Sequence, residues 1–459
     1  MTNAQQNTNS SPGLLERQGI QGSLKWGFLA VMIFMAGNSL ELGFISPFLQ
    51  DRGLSASQVS VMLTVYGAVV AVASWLSGAL ADSWRPRRVM LTGFVLWLIF
   101  EVIFLAGGVA TGSYLVMIIS YALRGVGYPL FAYGFLVWIT MATPEERLGR
   151  ATGWFWFSVA LGQGVIAGYV PSLLIPVIGE ITTLWLSVAF VVVGGVMALL
   201  LLKPENTEGH EQRPSAAETI AGLARSATIV VHRPKIAIGG VVRIINQIAY
   251  FAFPAFFSYY MIKSVGFTTS NWQIVWAALN LANVFASLVM GYVGDKIGRI
   301  RTTAWIGGLG CAITVFAMYY GSVLFGTNML AAIVPAMLFG ITLGAYVPLS
   351  AIVPTLAPDQ KGSAVAILNL GAGLSNFAGP LVVTLFLGSV GVAGVVWILV
   401  GLYVVSFVLT FFLRPSKKQA QAEGAAAKSR SCFTISRTMG AAPMRGRLPS
   451  SFVGRWIRR

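Results

Sequence analysis

Four ionisable side chains sit inside long apolar runs of this sequence: Glu41, Glu101, Arg124 and Arg243. A charge at the centre of a lipid-embedded helix costs about 2.5–3.5 kcal/mol on insertion scales, so all four against lipid would cost roughly 10 kcal/mol or more. They must face one another or an aqueous cavity. Glu41 lies about fifteen residues into its run, roughly 22 Å at ~1.5 Å per residue. Arg124 lies about ten residues into a run of opposite direction, so both fall near mid-depth. A guanidinium beside a carboxylate favours its ionised form, whereas apolar burial favours the protonated form. A carboxyl group under both influences changes its proton occupancy when water reaches it. That is the chemistry of a proton carrier, with Glu101 as the rival site and a static salt bridge as the structural alternative.

Neutral polar groups form a second set. Arg243, Asn246, Gln247 and Tyr250 follow i, i+3, i+4, i+7 spacing and share one helix face. Trp276, Asn280 and Asn283 repeat that spacing on another run, Asn369 and Asn376 lie on a third, and Asn38 stands beside Glu41. Amides are costly against lipid, so these faces should point inward, toward a polar ligand or a neighbouring helix. Arg243 lies close enough to one end of its run to snorkel to the headgroups.

The elements that must position these groups are membrane-spanning helices. Of 459 residues, 56% are hydrophobic and 10% charged, against about a quarter charged in a soluble domain. Apolar runs long enough to cross ~30 Å of hydrocarbon are expected at 26–49, 57–80, 88–109, 114–140, 151–175, 183–202, 236–261, 271–294, 302–321, 329–353, 364–387 and 392–413. The fold class is therefore all-α and membrane-embedded, with twelve transmembrane helices and no alternating pattern of a β-barrel. The first run has no small-residue cleavage site after it and reads as a retained helix.

Charge sets the topology. The net charge is +16, of which the segment from Arg414 to Arg459 supplies +10, with eleven Lys/Arg against Glu423. Elsewhere the basic residues gather on alternate connections: Arg85, Arg87 and Arg88; Arg147 and Arg150; Lys203 to Lys235; Lys296, Arg299 and Arg301; and Lys361. The other side carries Arg52 and Lys263. By the positive-inside rule both termini are cytoplasmic. This distribution argues for a lipid bilayer partner rather than nucleic acid. The organisation expected is a cytoplasmic segment 1–25, a six-helix bundle 26–202, a cytoplasmic linker 203–235, a second bundle 236–413 and a basic, disordered tail 414–459. Within the linker, 216–225 has weak amphipathic spacing for a surface helix. Cys311 and Cys432 are too far apart for a disulfide, and His210 and His232 lie in the linker, so no metal set exists. No Walker loop, nucleophile elbow or dinucleotide fingerprint is present; neither an enzyme nor a bound cofactor is expected.

Two loops recur at one offset. Gly78-Ala-Leu-Ala-Asp82 with Arg85, Arg87 and Arg88 matches Gly291-Tyr-Val-Gly-Asp295-Lys-Ile-Gly298-Arg299, and Gly149 matches Gly362; Asp82 to Asp295 and Gly149 to Gly362 are both 213 positions. The halves are thus parallel repeats about an axis along the membrane normal. The Gly-x-x-x-Asp-(Lys/Arg)-x-Gly-Arg pattern resembles the signature loop of the major facilitator superfamily. Its first copy departs in having Arg85 where glycine is usual. Longer segments, among them Arg124-Gly-Val-Gly-Tyr128-Pro-Leu-Phe, Gly153-Trp154-Phe-Trp156, Val242-Arg243-Ile-Ile-Asn246 and Asn369 to Asn376, are similar to the bacterial pentitol (ribitol and D-arabinitol) transporters of that superfamily.

The resemblance implies a monomeric symporter in a bacterial inner membrane that imports a small polar substrate with protons. It places Glu41 and Arg124 on cavity-lining helices, with Glu41 binding the proton, Arg124 governing its release and Glu101 as the rival. It implies polyol contact at Asn38, Tyr128, Arg243, Asn246, Gln247, Trp276, Asn280, Asn369 and Asn376. Gly78, Asp82, Arg87, Arg88, Gly291, Asp295, Gly298 and Arg299 would form conformational latches. Symport of a small carboxylate such as 2-oxoglutarate, gripped by the arginines, and efflux of apolar compounds are the alternatives. Trp84, Trp154, Trp156 and Trp272 are expected as interfacial anchors, and Gly153, Gly162, Gly164 and Gly168 as close-packing positions.

Overall fold

A computed structural model describes residues 20–202, 229–357 and 360–414. The N-terminal segment, the 216–225 stretch and the basic tail from 415 lie outside the described residues, as do the side-chain surroundings of Gly78, Asp82 and Gly149. The described residues form one compact unit.

The helices are α1 (Lys25–Ser39, continued by Ile45–Gln50), α2 (Ala56–Trp84), α3 (Pro86–Val109), α4 (Tyr114–Arg124 and Gly127–Ala142), α5 (145–178) and α6 (180–201). They continue as α7 (Pro234–Asn246 and Ile248–Tyr259), α8 (Thr269–Ile297), α9 (Arg299–Phe325), α10 (Met329–Gly344 and Leu349–Thr355), α11 (361–390) and α12 (392–411). Among the described residues nine helices are long and apolar enough to cross a membrane. Two of these hold two crossings each, joined at the non-helical glycines Gly179 and Gly391. The first crossing falls short of that length because it is interrupted between Ser39 and Ile45. The count of twelve expected crossings is recovered.

Interruptions fall on the first helix of every consecutive three. α1 breaks at 40–44, α4 after Arg124, α7 at Gln247 and α10 at 345–348. Backbone that leaves the helical ladder at mid-membrane must be buried in protein or line a cavity. In α7 the repair is visible: Ser375 donates to the Ile244 carbonyl at 3.1 Å and Tyr403 to the Asn246 carbonyl at 3.1 Å.

Duplication extends to backbone conformation. The positive-φ residues pair as Gly53 with Gly266, Arg85 with Gly298, Gly112 with Gly326 and Gly179 with Gly391, at separations of 212–214. Ser55 caps α2 and Thr268 caps α8, again 213 apart. The irregular first signature loop therefore keeps the turn of the second. Arg85 takes φ 78°, ψ 133° where Gly298 takes φ 107°, ψ 125°. Pro86 favours that ψ at the residue before it, while the positive φ strains a side-chain-bearing residue by about 1–3 kcal/mol. Arg85→Gly is accordingly expected to stabilise the detergent-purified protein by about 1 kcal/mol after the entropy cost of glycine, and so to raise its melting temperature. An unchanged or lowered midpoint would refute the strain.

One membrane face is closed by bonds between the first six helices and the last six. Lys263 Nζ meets Asp51 Oδ2 at 2.7 Å, Thr269 donates to Glu180 at 3.2 Å and Ser46 donates to the Ala255 carbonyl at 3.1 Å. Trp272, 1% exposed, donates to the Gly43 carbonyl at 2.9 Å. This residue is thus a contact between halves rather than the expected interfacial anchor, whereas Trp84, Trp154 and Trp156 are exposed as anchors should be. Gly162, Gly164 and Gly168 pack against Met32, Asn280 and Ala277, but Gly153 faces open space. Large exposed apolar side chains such as Leu173, Val177 and Leu200 suit hydrocarbon. The chain is a multi-pass membrane protein.

Candidate functional site

Three of the four intramembrane ions converge. Arg124, at the end of the first segment of α4, binds Glu41 through Nη2 and Glu101 through Nη1, the latter at 2.5 Å. All three side chains are fully buried. Glu41 sits in the interruption of α1, whose turn returns its carbonyl to the amides of Phe44 and Ile45 at 2.9 and 2.8 Å. Tyr121 donates to Glu41 Oε1 at 3.0 Å, and Ser187 donates to Glu101 Oε1 at 3.2 Å. The guanidinium lies 4.3 Å from the Tyr121 ring centroid, 5.4 Å from Trp97 and 5.6 Å from Tyr66, positions favourable for a cation over an aromatic face. Both oxygens of Glu101 are bonded, while Glu41 Oε2 and Arg124 Nε meet no partner among the described residues.

Beside this cluster is a narrow cavity of about 30 Å³, shared by α1, α2, α4, α5, α7 and α11. Its polar lining is Asn38, Ser39, Tyr66, Tyr128, Gln163 and Asn376; Leu42, Leu63, Phe251, Pro254 and Pro380 supply apolar walls. Its lining carries no charge. Asn38 is held by Trp97, whose indole donates to its Oδ1 at 2.8 Å.

The other expected binding residues divide. Tyr250 donates to Asn280 at 3.0 Å and stacks on Trp276, centroids 4.9 Å apart, forming one polar-aromatic group across α7 and α8. Arg243 donates to Asn246 Oδ1 at 2.6 Å beside the break of α7, next to the half-buried Gln247. No carboxylate pairs with Arg243 among the described residues. Asn283 serves packing, donating to the Gly340 carbonyl at 3.0 Å. Asn369 is exposed, two turns from Asn376 on the same face of α11 and apart from the cavity lining.

Of the expected latches, Asp295 pairs with Arg299 at 2.9 Å, one turn away and with both side chains well exposed. Such a pair contributes about 0.3–0.5 kcal/mol, too little to fix a conformation by itself. Gly291 meets nothing within contact range, and the close approach in that loop is made by Gly294 against Pro348. In the first copy Arg87 donates to the Leu199 carbonyl at 2.6 Å, tying α3 to the end of α6, and Arg88 is exposed.

Gln163, Tyr66, Tyr121, Trp97 and Ser187 were not singled out by sequence. Gln163 had a signal: it is an amide flanked by Gly162 and Gly164 in an apolar run, and it falls in a π-helical turn, Leu161–Ile166, of the kind often found at functional sites. The aromatics had none, since a tyrosine or tryptophan in a span reads alike whether it faces lipid or protein.

A family profile described as Major Facilitator Superfamily matches residues 27–243 and 239–454. The alpha-ketoglutarate permease of Bacillus subtilis (strain 168) is 41% identical over 406 residues, covering 88% of this chain and 92% of that protein. The D-arabinitol transporter of Klebsiella pneumoniae is 38% identical, covering 86% of this chain and 93% of its own. Among solved structures, a D-xylose-proton symporter aligns with a TM-score of 0.66 at 18% identity, covering 86% of this chain and 98% of that one.

Proposed function

The chain belongs to the Major Facilitator Superfamily, whose members are transporters and not enzymes, and on that premise we propose that it imports a pentitol-type polyol together with a proton by alternating access. The uncharged cavity carries this reading. Amides and hydroxyls offer donors and acceptors to hydroxyl groups, and Leu, Phe and Pro walls meet the CH faces. Arg124 is already committed to two carboxylates, so it offers no free charge to an anion. The D-arabinitol relative supports the substrate class.

The proton falls to Glu41. Two carboxylates and one guanidinium, all fully buried, would carry a net negative charge if both acids were ionised, which is costly without water. One proton restores neutrality. Glu101 has both oxygens bonded, whereas Glu41 Oε2 has no partner among the described residues and its neighbours Asn38 and Leu42 line the cavity. The Asp51 face is taken as external and both termini as internal, following the distribution of basic residues.

A second reading, a small dicarboxylate as substrate, is favoured by Arg243, a cation with no described carboxylate partner, and by the alpha-ketoglutarate relative. Uptake into proteoliposomes with an imposed proton gradient separates the two. Labelled D-arabinitol or ribitol accumulating, and resisting competition by excess 2-oxoglutarate, supports the polyol; accumulation of 2-oxoglutarate unaffected by pentitols sinks it. For the polyol, Asn376→Leu is expected to raise KM about tenfold, the loss of one or two ligand hydrogen bonds. Its ratio of protons to substrate should stay unchanged. A normal KM would remove Asn376 from the site.

A further inference from the structure

Gln273 on α8 is fully buried, yet neither its Oε1 nor its Nε2 meets a hydrogen-bonding partner among the described residues. Such an amide is costly to keep dry, and nothing in the cavity or the charge cluster uses it. Its place explains it. The amide lies against the backbone of Gly43, where the nearest atoms to any added Cβ would all be Gln273 side-chain atoms, so close that this buried side chain would have to move. The adjacent Trp272 bonds the same residue, donating to the Gly43 carbonyl at 2.9 Å. Gly43 belongs to the non-helical turn of α1 that also carries Glu41. The contact joins the two halves near the Asp51 face, with Ser46–Ala255, Asp51–Lys263 and Glu180–Thr269 around it.

We infer that Gly43 and Gln273 form the seat on which the Asp51 face closes, and that the Gln273 amide does its hydrogen bonding in the opposite state, when the halves part and solvent or substrate reaches it. Glycine at 43 lets the faces meet. The unsatisfied amide keeps the meeting from being permanent, because closure forfeits its hydrogen bonds. Since Glu41 shares the turn, protonation there and closure here act on one short segment. The inference rests on the alternating-access reading.

Distances between spin labels at Ser57→Cys and Asn271→Cys, two exposed positions on this face in different halves, report opening in a Cys311→Ser, Cys432→Ser background. Gly43→Ala should shift the population toward long distances, because the added methyl displaces the buried Gln273 amide from its seat. Adding Gln273→Ala should return it toward short ones by freeing that space. Gln273→Met, similar in shape but without the amide, should favour the closed form about tenfold. The seat is refuted if Gly43→Ala keeps the wild-type distribution, if the double variant stays open, or if Gln273→Met leaves the ratio unchanged. A wild-type distance that stays single with and without substrate and a proton gradient would instead overturn alternating access itself, and the seat with it.

Discussion

Glu41→Gln is expected to abolish concentrative uptake while leaving exchange of labelled for unlabelled substrate intact. One proton entering at about 100 mV and one pH unit contributes roughly 2.3 plus 1.4 kcal/mol, enough for accumulation of about several hundredfold. Glutamine keeps the shape of Glu41 and the acceptor that Tyr121 and Arg124 bind, but it cannot release a proton. The accumulation ratio should fall to about one at unchanged exchange rate. If Glu41→Gln still concentrates substrate and Glu101→Gln does not, the proton belongs to Glu101. A purely structural salt bridge predicts a third outcome, with exchange and accumulation lost together.

Arg124→Leu should be the most destabilising single change in the cluster. It leaves two fully buried carboxyl groups without their shared cation. Removing one partner of a buried pair costs about 3–5 kcal/mol, whereas replacing a whole buried ionic set with neutral groups can be neutral. The single variant is therefore expected to show a much lower melting temperature and loss of transport. Arg124→Leu combined with Glu41→Gln and Glu101→Gln should recover most of the stability and none of the coupling. A triple variant as unstable as the single would mean that the guanidinium acts mainly through its packing on Tyr121, Trp97 and Tyr66.

Much of the architecture was legible beforehand because lipid imposes it. A span must be about twenty apolar residues long, so twelve runs announce twelve crossings, and the interruptions at Gly179 and Gly391 fall between the runs. The 213-residue offset between signature loops carries through to the positive-φ turns and the helix caps, since equal turns require equal backbone conformations. Glu41, Glu101 and Arg124 stood out for the same reason: an ion in hydrocarbon is costly enough to need a partner.

Pairing and side were not legible. Periodicity placed Asn280 and Asn283 on similar footing, yet Asn280 joins Tyr250 and Trp276 while Asn283 bonds the Gly340 carbonyl. Trp272 read as an anchor at the membrane edge, and the fold turned it inward onto Gly43. These outcomes depend on how helices rotate and cross, which close packing against distant residues decides.

The sequence by itself determined the membrane class, the twelve crossings, the duplication and the ions that had to find partners, because hydrocarbon penalises each departure locally, residue by residue. Only the tertiary structure decided that one arginine serves both acids, that Glu41, between the cavity-lining Asn38 and Leu42, keeps one oxygen without a partner among the described residues, and that Gln273 lies dry against Gly43. Those are facts of helix rotation and approach, set by packing between segments far apart in the chain.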